Sequence, residues 1–377
     1  MYLSEEHRML RAMAREFSEK EIKPEASKND KEHRFPKELV ARLGELGLMG
    51  VAIPEMYGGS GLDTLAYVVA LEEIAKACAS TAVIMSVNNS LVGDPLYRFG
   101  TESQKKKYLN PLAEGKKIGC FMLSEPQAGS DATQQKTGAS KKGDFYILNG
   151  TKNFITNGPQ AHFGIVFAVT DPSAGTKGVS AFIVERDFTG YSIGPIDEKM
   201  GILCSGTCQI HFDNCKVPKV NLLGEQGEGL KIAFSTLDGG RIGIATQALG
   251  IAEAALEASV SYAKERKQFG KSIGEYQAIQ WMLADMTTHV DAARLLIYEA
   301  ANLKDEGKSF SVASAKAKLF ASQTAMDVTT NAIQIHGGYG YMKDYPLERY
   351  FRDAKITQIY EGTSEIQRIV IARSLLK

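Results

Sequence analysis

The sequence has few cysteines, no excess of charge of either sign and no long apolar run. Five cysteines among 377 residues are too few, and odd in number, for a disulfide framework, which predicts a reducing environment. Lysine plus arginine and aspartate plus glutamate each number 44, so the formal net charge is zero. Nucleic acid and anionic membranes select basic surfaces, and no such surplus exists here.

The chain also has no apolar run close to the ~18 residues that a membrane-spanning helix needs. Its first residues lack the basic and then apolar stretches of a signal peptide. With 44% apolar and 23% charged residues, the composition is ordinary for a globular protein. We therefore expect a cytoplasmic protein that neither inserts into a membrane nor binds nucleic acid.

Three zones of different periodicity divide the chain. Residues 1–118 show the period of amphipathic helices, residues 119–230 switch to the alternation of strands, and residues 231–377 return to the helical period. We expect an α+β fold with an N-terminal helical domain, a central antiparallel β domain and a C-terminal helical domain at those bounds. At about 150 residues per domain, two or three domains are also what the length predicts.

Two local patterns within these zones are specific enough to predict structure. In the β zone, apolar runs on either side of Asn149-Gly150 predict a hairpin, because Asn-Gly tolerates the positive φ of a type I′ turn. In the last zone the periodicity predicts four helices, over residues 242–266, 276–304, 312–335 and 365–376.

Several familiar signatures fail on their context. The G-x-S-x-G pattern at 190–194 runs into a proline and that at 270–274 follows a helical pattern, so neither marks a hydrolase elbow. Cys204, Cys208 and Cys215 lack the paired spacing of a zinc site, and core packing accounts for them better. No G-x-G-x-x-G opens a β-to-α unit, which argues against a nicotinamide domain. No metal site is predicted.

Four stretches remain that are rich in small, polar and charged residues. They read F-M-L-S-E-P-Q-A-G-S-D (121–131), F-I-T-N (154–157), R-K-Q-F-G (266–270) and Y-E-G-T-S-E-I-Q (360–367). Together they resemble the acyl-CoA dehydrogenase family, and the resemblance covers essentially the whole chain. The C-terminal half is most similar to short-chain, butyryl-type members.

The resemblance implies a fold, a cofactor and partners. The fold is an N-terminal helical domain, a central β domain and a C-terminal four-helix bundle. The implied assembly is a homotetramer, a dimer of dimers, with one FAD per subunit. The substrate would be an acyl-CoA, and an electron-transferring flavoprotein would accept the electrons.

The reaction that the resemblance implies removes a proton from Cα and a hydride from Cβ of an acyl-CoA thioester. Because the α-proton of a thioester is weakly acidic, its removal needs a positioned carboxylate and donors for the enolate oxygen. Glu361 corresponds to the family's base and its amide to a thioester-oxygen donor, beside Gly362, which allows close backbone approach. The alternative is that Glu361 caps a helix starting near Thr363.

Some family members instead carry the base on a helix, directly before the arginine of an L-D-x-x-R motif. Here Gly240 occupies that position, and glycine cannot be a base. Asp238 and Arg241 correspond to residues that contact the CoA portion, and Ser130 corresponds to a further substrate contact. The resemblance thus leaves Glu361 as the expected base.

The FAD contacts of the family also map onto this chain. Contacts to the isoalloxazine correspond to Phe121, Leu123, Ser124, Ser130, Phe154 and Thr156. Contacts to the adenine and diphosphate end of a neighbouring subunit's FAD correspond to Arg266, Phe269, Gln277, Gln334, Gly337 and Gly338. Thr363 and Glu365 match further FAD contacts. For Gln334 and Gly338 a helix end is the alternative, because glycine commonly terminates helices.

Asp94 departs from the small neutral residue that short-chain relatives often have in the helix lining the acyl end of the pocket. Its place before Pro95 is typical of a helix N-cap. A buried, unpaired carboxylate would be costly there and would need a purpose. That purpose could be a second acid/base group acting on a cyclohexane- or cyclohexene-carboxyl-CoA.

The expected function is therefore FAD-dependent dehydrogenation of a short-chain acyl-CoA, with an alicyclic acyl-CoA as the alternative substrate. A catalytically silent flavoprotein is a further alternative, against which the presence of Glu361 argues. A flavin oxidase that passes electrons to oxygen is also open.

Overall fold

The computed structural model describes residues 3–376 as helices, a mixed β-sheet and then helices again. Residues 1, 2 and 377, at the outer ends of the first and third predicted domains, lie outside the described residues. The first strand begins at Gly119, and the helices resume at Gly229 after the last strand of the sheet. Within residues 3–376, no helix is both long and apolar enough to cross a membrane.

From residue 3 to the first strand of the sheet, the structure describes eight α-helices. They are α1 (Glu5–Phe17), α2 (Lys23–Glu32), α3 (Lys37–Glu45), α4 (Thr64–Ala77), α5 (Ala79–Ser86), α6 (Asp94–Phe99), α7 (Glu102–Gln104) and α8 (Asn110–Ala113). Ser4 begins α1 with a capping box, and the Asp63 side chain accepts a hydrogen bond from the N–H of Ala66 at the start of α4. Helix α4 is buried along almost its whole length, so it forms the centre of this part of the molecule.

The helix that contains Asp94 starts earlier than the sequence predicts. A π-helical segment, Val87–Gly93, joins α5 to α6 without a break. Asp94 has helical backbone angles (φ −56°, ψ −52°), and its N–H donates to the carbonyl of Asn89. The prediction of an N-cap at Asp94 is therefore wrong, because Pro95 is accommodated in the first turn after the π-helical segment.

The central sheet has eight strands. They are β1 (Gly119–Met122), β2 (Gly138–Lys142), β3 (Phe145–Thr156), β4 (Phe163–Val169), β5 (Val179–Glu185), β6 (Tyr191–Ile196), β7 (Thr207–Pro218) and β8 (Leu222–Leu223). Their order is β6-β7-β3-β2-β4-β5-β8, with β1 beside β4. Most pairs are antiparallel, as predicted, and β1 and β2 pair with β4 in parallel.

The two faces of β4 and β5 belong to different parts of the core. Ile165 and Ile183 face the helical core, whereas Val166 and Val184 face a second core formed within the sheet domain. Because both faces are covered, these strands are apolar throughout rather than alternating. All five cysteines are buried and form no disulfide, which agrees with the core packing expected for Cys204, Cys208 and Cys215.

The predicted hairpin at Asn149-Gly150 is wrong. Strand β3 continues through both residues, and the turn of the β2–β3 hairpin lies at Gly143, which has φ +61°. Pairing of β3 with β7 shifts register between Leu148 and Gly150, so Asn-Gly marks a β-bulge. A Cβ at Gly150 would lie 2.5 Å from Thr137 Oγ1, which explains the glycine by close packing.

Between residues 229 and 376 the structure has five α-helices and a small hairpin. They are α9 (Gly229–Glu265), β9 (Lys267–Gln268), β10 (Lys271–Ser272), α10 (Gln277–Asp305), α11 (Ser311–His336), α12 (Leu347–Ile356) and α13 (Ser364–Leu375). Helix α11 packs against α9, α10, α12 and α13. Helix α9 starts 13 residues before the predicted position 242 and includes the glycine pair at 239–240. Each interior glycine costs about 1 kcal/mol, and burial of the helix in the fold outweighs that cost.

Candidate active site

The centre of the site is a tight turn between α12 and α13. Glu361 has φ +52° and Gly362 has φ +95°, so both backbones lie in the region that favours glycine. A Cβ at Gly362 would lie 2.7 Å from Gln367 Nε2. Thr363, not Glu361, caps α13, because its Oγ1 accepts a hydrogen bond from the N–H of Ile366. The capping alternative for Glu361 is therefore wrong.

The carboxyl group of Glu361 lies in a confined space. Its Oε2 is buried and has no hydrogen-bond partner among residues 3–376. Burial raises the pKa of Glu361 to about 7, and the positive charges of Lys318 and Arg241 act in the opposite direction. A lone carboxylate that titrates near neutral pH has the properties of a general base.

Gly240 of α9 provides the room for this carboxyl group. A Cβ at Gly240 would lie 2.1 Å from Glu361 Oε2 and 2.8 Å from Leu91 Cδ2. The position that carries the base in some relatives therefore faces the same space as Glu361. Glycine at 240 leaves that space to the carboxylate.

The structure brings the two predicted CoA contacts next to this turn. Arg241 Nη1 donates to Asp238 Oδ1 at 2.5 Å, and Ser311 Oγ donates to the same oxygen at 2.8 Å. Arg241 is buried, and its charge acts on Glu361. Asp238 and Arg241 are three residues apart, about one turn of α9, and their ion pair holds Arg241 at the edge of the site.

The predicted isoalloxazine contacts lie on β1, on the loop after it and on β3. The N–H of Asn153 donates to the carbonyl of Ser124 at 2.9 Å, which places the loop against β3. A register shift between Lys152 and Ile155 gives Phe154 a φ of +58° and leaves its ring 69% exposed. Thr156 is half-buried at the end of β3.

The other predicted contacts of this group differ in burial. Leu123 is buried, and the Phe121 ring packs on that of Phe167 with centroids 4.9 Å apart. Ser130 is exposed. A Cβ added at the neighbouring Gly129 would meet no other atom within 4 Å. The Ser130 end of the loop is therefore open, and its Leu123 end is fixed in the core.

A buried ion pair behind this loop was missed by the sequence analysis. Lys152 Nζ donates to Glu125 Oε1 at 2.8 Å, to Gln135 Oε1 at 2.9 Å and to the carbonyl of Leu123 at 3.2 Å. Glu125 also accepts hydrogen bonds from the N–H groups of residues 136 and 137. The alternation of β3, in which Tyr146 and position 148 face inward, was the signal that could have found Lys152.

A second cleft, of about 470 Å³, lies where the end of α9 meets the end of α11. Arg266, Gly337 and Gly338 line it together with Tyr262 and other residues. The Arg266 guanidinium lies over the ring of Tyr339, and it forms no ion pair with the carboxylates of residues 3–376. Its charge is therefore available to an anion.

Three of the predicted FAD contacts do not line this cleft. Phe269 is 95% exposed at the tip of the β9–β10 hairpin, with φ +51°. Gln277 is exposed at the start of α10, and Gln334 is exposed in the last turn of α11. Helix α11 ends at His336 with Gly337 as its C-cap, so the backbone there is a helix end, as the alternative expected.

Thr363 and Glu365 lie at the start of α13. Thr363 is half-buried and its hydroxyl is used as the helix cap. Glu365 is exposed, and hydrogen bonds at this helix start lower its pKa.

Asp94 is held by two cations. Its Oδ1 lies 3.1 Å from Lys304 Nζ, and its Oδ2 lies 3.2 Å from Arg98 Nη1. An additional catalytic role was considered because an unpaired carboxylate would be costly there. Both oxygens of Asp94 are paired with cations, so this reason for a catalytic role does not apply.

The fold and the turn around Glu361 define the class of protein. The N-terminal, middle and C-terminal domains of acyl-CoA dehydrogenase match residues 4–116, 120–215 and 227–376. The chain belongs to the acyl-CoA dehydrogenase family, whose members are flavin-dependent oxidoreductases that use FAD.

Individual relatives are similar over the entire chain. The short-chain-specific acyl-CoA dehydrogenase of Clostridium acetobutylicum is 51% identical over 375 residues, which cover 100% of this chain and 99% of the relative. Butyryl-CoA dehydrogenase from Megasphaera elsdenii superposes with a TM-score of 0.98 at 50% identity, over 100% of both chains. A chain from a structure described as the electron transferring flavoprotein of Acidaminococcus fermentans superposes with a TM-score of 0.99 at 55% identity, over 100% of this chain and 99% of that chain. These findings confirm the resemblance and the fold class, and they do not support the alicyclic alternative.

Two observations fit FAD to this chain. The exposed ring of Phe154 follows Asn153, whose N–H donates to the carbonyl of Ser124 in the loop, and it is a surface that a flat aromatic group can cover. The unpaired guanidinium of Arg266 and the glycine backbone at 337–338 suit a diphosphate.

Proposed function

We propose that this chain is an FAD-dependent short-chain acyl-CoA dehydrogenase, which converts a short acyl-CoA to the 2-enoyl-CoA. The observation that carries the proposal is the buried, unpartnered Oε2 of Glu361 in the space above Gly240. Similarity over the whole chain to relatives named for short-chain and butyryl-CoA substrates supports the substrate class.

In the proposed reaction Glu361 accepts the α-proton of the thioester. FAD, when bound, supplies the acceptor for the β-hydride. Glu361 takes the proton as a carboxylate, and its own N–H donates to the thioester oxygen, where negative charge develops. Removal of one such donor typically costs roughly 3–4 kcal/mol of barrier height, so the geometry of the Glu361–Gly362 turn matters as much as the base.

The remaining predicted residues would bind and orient. Asp238, Arg241 and Ser130 would contact the substrate. The proposed flavin contacts are Phe121, Leu123, Ser124, Ser130, Phe154, Thr156, Thr363 and Glu365, and those to a neighbour's FAD are Arg266, Phe269, Gln277, Gln334, Gly337 and Gly338. We also propose that residues 1–118, 119–230 and 231–377 are the three domains.

The proposed assembly is a cytoplasmic homotetramer, a dimer of dimers, that passes electrons to an electron-transferring flavoprotein. Exposed apolar side chains after the sheet, such as Phe269 in the β9–β10 hairpin and Trp281 and Leu295 on α10, support burial between subunits. Similarity to a chain in a structure described as an electron transferring flavoprotein supports the electron acceptor.

The test of the proposed function is anaerobic flavin reduction. The purified protein should be yellow with about one FAD per subunit, and butyryl-CoA should bleach it faster than octanoyl- or palmitoyl-CoA, because the short-chain relatives share the whole fold. Stopped-flow absorbance measures the rates. If the protein binds FAD but none of these thioesters bleaches it, the dehydrogenase proposal is refuted. If it is bleached fastest by palmitoyl-CoA, the proposed preference for short acyl chains is refuted.

Replacement of Gly240 by alanine should slow the reaction by about 10²-fold, because its Cβ would displace the Glu361 carboxylate by about 1 Å. Gly239→Ala is the matched control, since a Cβ there meets only Lys304 Nζ, at 3.4 Å. Rates of flavin reduction by butyryl-CoA and thermal midpoints should be measured for both variants. Equal rates in the two variants would contradict the proposed place of the base.

A further inference from the structure

Lys318 on α11 is a buried cation that the mechanism above does not use. The side chain is fully buried, and its Nζ donates to the carbonyl oxygen of Gly362. Among residues 3–376, no carboxylate lies within ion-pair distance of it. A buried ammonium whose hydrogen bond goes to a neutral carbonyl is costly, so its retention calls for a compensating interaction.

The hydrogen bond of Lys318 is made to the turn that carries the base. The Gly362 carbonyl also accepts a hydrogen bond from Gln367 Nε2 at 2.8 Å. Donors from α11 and α13 thus converge on one oxygen and hold a turn in which Glu361 has φ +52°. A non-glycine residue in this conformation costs roughly 1–2 kcal/mol and persists only where neighbouring contacts hold it.

Within the described part of the chain, Lys318 is also a positive charge acting on Glu361 that forms no ion pair. Arg241 is the other cation acting on Glu361, and it is paired with Asp238. The charge of Glu361 also acts on the buried hydroxyls of Tyr67 and Tyr360, whose pKa is raised by burial, so they stay protonated. These hydroxyls donate to Ser86 and to Gln247 and not to the carboxylate.

The titration of Lys318 depends on the same neighbours. Burial lowers the pKa of Lys318 to about 7, Glu361 and Glu365 raise it, and Arg241 lowers it further. The lysine and the base therefore each favour the charged form of the other.

We propose that Lys318 is a positioning residue for the base: its ammonium holds the Gly362 carbonyl and balances the negative charge of the Glu361 carboxylate. This inference rests on the proposed function, in which Glu361 removes the α-proton. The lysine fixes where the carboxylate points through the turn, and it keeps the carboxylate ionised in a buried site.

The experiment compares the FAD-loaded wild type with Lys318→Met, which keeps the apolar stem, and with Lys318→Arg, which keeps the charge. Lys316→Met is the matched control, since Lys316 is exposed on the same helix two residues away. Infrared difference spectra over a pH titration report the ionisation of Glu361, whose band is assigned by its absence in Glu361→Gln. Flavin reduction by butyryl-CoA is measured over the same pH range.

The wild-type carboxyl should titrate with a midpoint near 7. In Lys318→Met the loss of a positive charge should raise its proton affinity roughly tenfold, so the rate deficit grows on the acid side of the profile. Lys318→Arg should restore the midpoint even where its bulk slows the reaction, and Lys316→Met should match the wild type. FAD content and thermal midpoints verify that each variant is folded.

An unchanged midpoint in folded Lys318→Met, or a rate deficit equal at all pH values, would overturn the proposal. If Lys318→Met does not fold, Lys318→Arg decides: a midpoint that differs from that of the wild type overturns the proposal, and an equal one supports it. A wild type that butyryl-CoA does not bleach refutes the proposed function instead. The infrared midpoints are measured without substrate, so they still decide the role of Lys318 in that case.

Discussion

Glu361→Gln should keep its FAD and its fold, while reduction of the flavin by butyryl-CoA slows by roughly 10³-fold. The amide preserves the shape of the side chain, so the space above Gly240 stays filled. It cannot accept a proton, and therefore the α-proton of the thioester has no acceptor. Stopped-flow absorbance gives the rate, and equilibrium titration with butyryl-CoA gives the affinity, which should change little.

The pH dependence of the wild type belongs to the same prediction. Burial raises the pKa of Glu361 to about 7, and the base works only as the carboxylate. The value of kcat/KM should therefore rise with pH through about 7. Glu32→Gln, an exposed change at the end of α2, is the control and should keep both rate and pH profile. Turnover by Glu361→Gln at more than a tenth of the wild-type rate would place the base on another residue.

Lys152→Met should lower the free energy of unfolding by about 3–5 kcal/mol, the usual cost of leaving one partner of a buried ion pair alone. Glu125 would keep its backbone donors but lose the ammonium at 2.8 Å. The carbonyl of Leu123 would lose a donor at the same time, so the loop proposed to contact the flavin should loosen and FAD should bind more weakly. Denaturant unfolding and FAD release on dilution are the measurements.

Lys142→Met tests whether the loss of any lysine from this sheet has the same effect, because Lys142 is exposed on β2. It should change the free energy of unfolding by no more than about 0.5 kcal/mol. The double variant Glu125→Gln with Lys152→Met should recover part of the lost stability, since no unpaired charge is then buried. Equal losses for Lys142→Met and Lys152→Met would show that the buried pair does not stabilise the loop.

The sequence predicted the features that depend on local pattern. The helical and strand zones follow from periodicity. The proposal of Glu361 as the base comes from the resemblance of the motif at 360–367 to the family. The end of α11 at Gly337 follows from the same local logic, because glycine accepts the backbone angles of a helix end.

Features that depend on contacts between distant segments were missed. Asn149-Gly150 has the composition of a turn, but pairing with β7 and the contact with Thr137 keep it in a strand. The partners of Lys152 and Lys318 come from other segments, so no local pattern shows which groups these lysines bind. Tertiary burial overrides composition at each of these places.

The close approach of Gly240 to Glu361 also restricts how this lineage of enzymes could have changed. Members that carry their base at the position of Gly240 need a side chain there, and any Cβ at 240 would lie 2.1 Å from Glu361 Oε2. With the backbone of this chain, a side chain at 240 and the Glu361 carboxylate compete for one space. Moving the base to position 240 would therefore require Glu361 to be shortened or displaced at the same time, so the two positions are expected to change together.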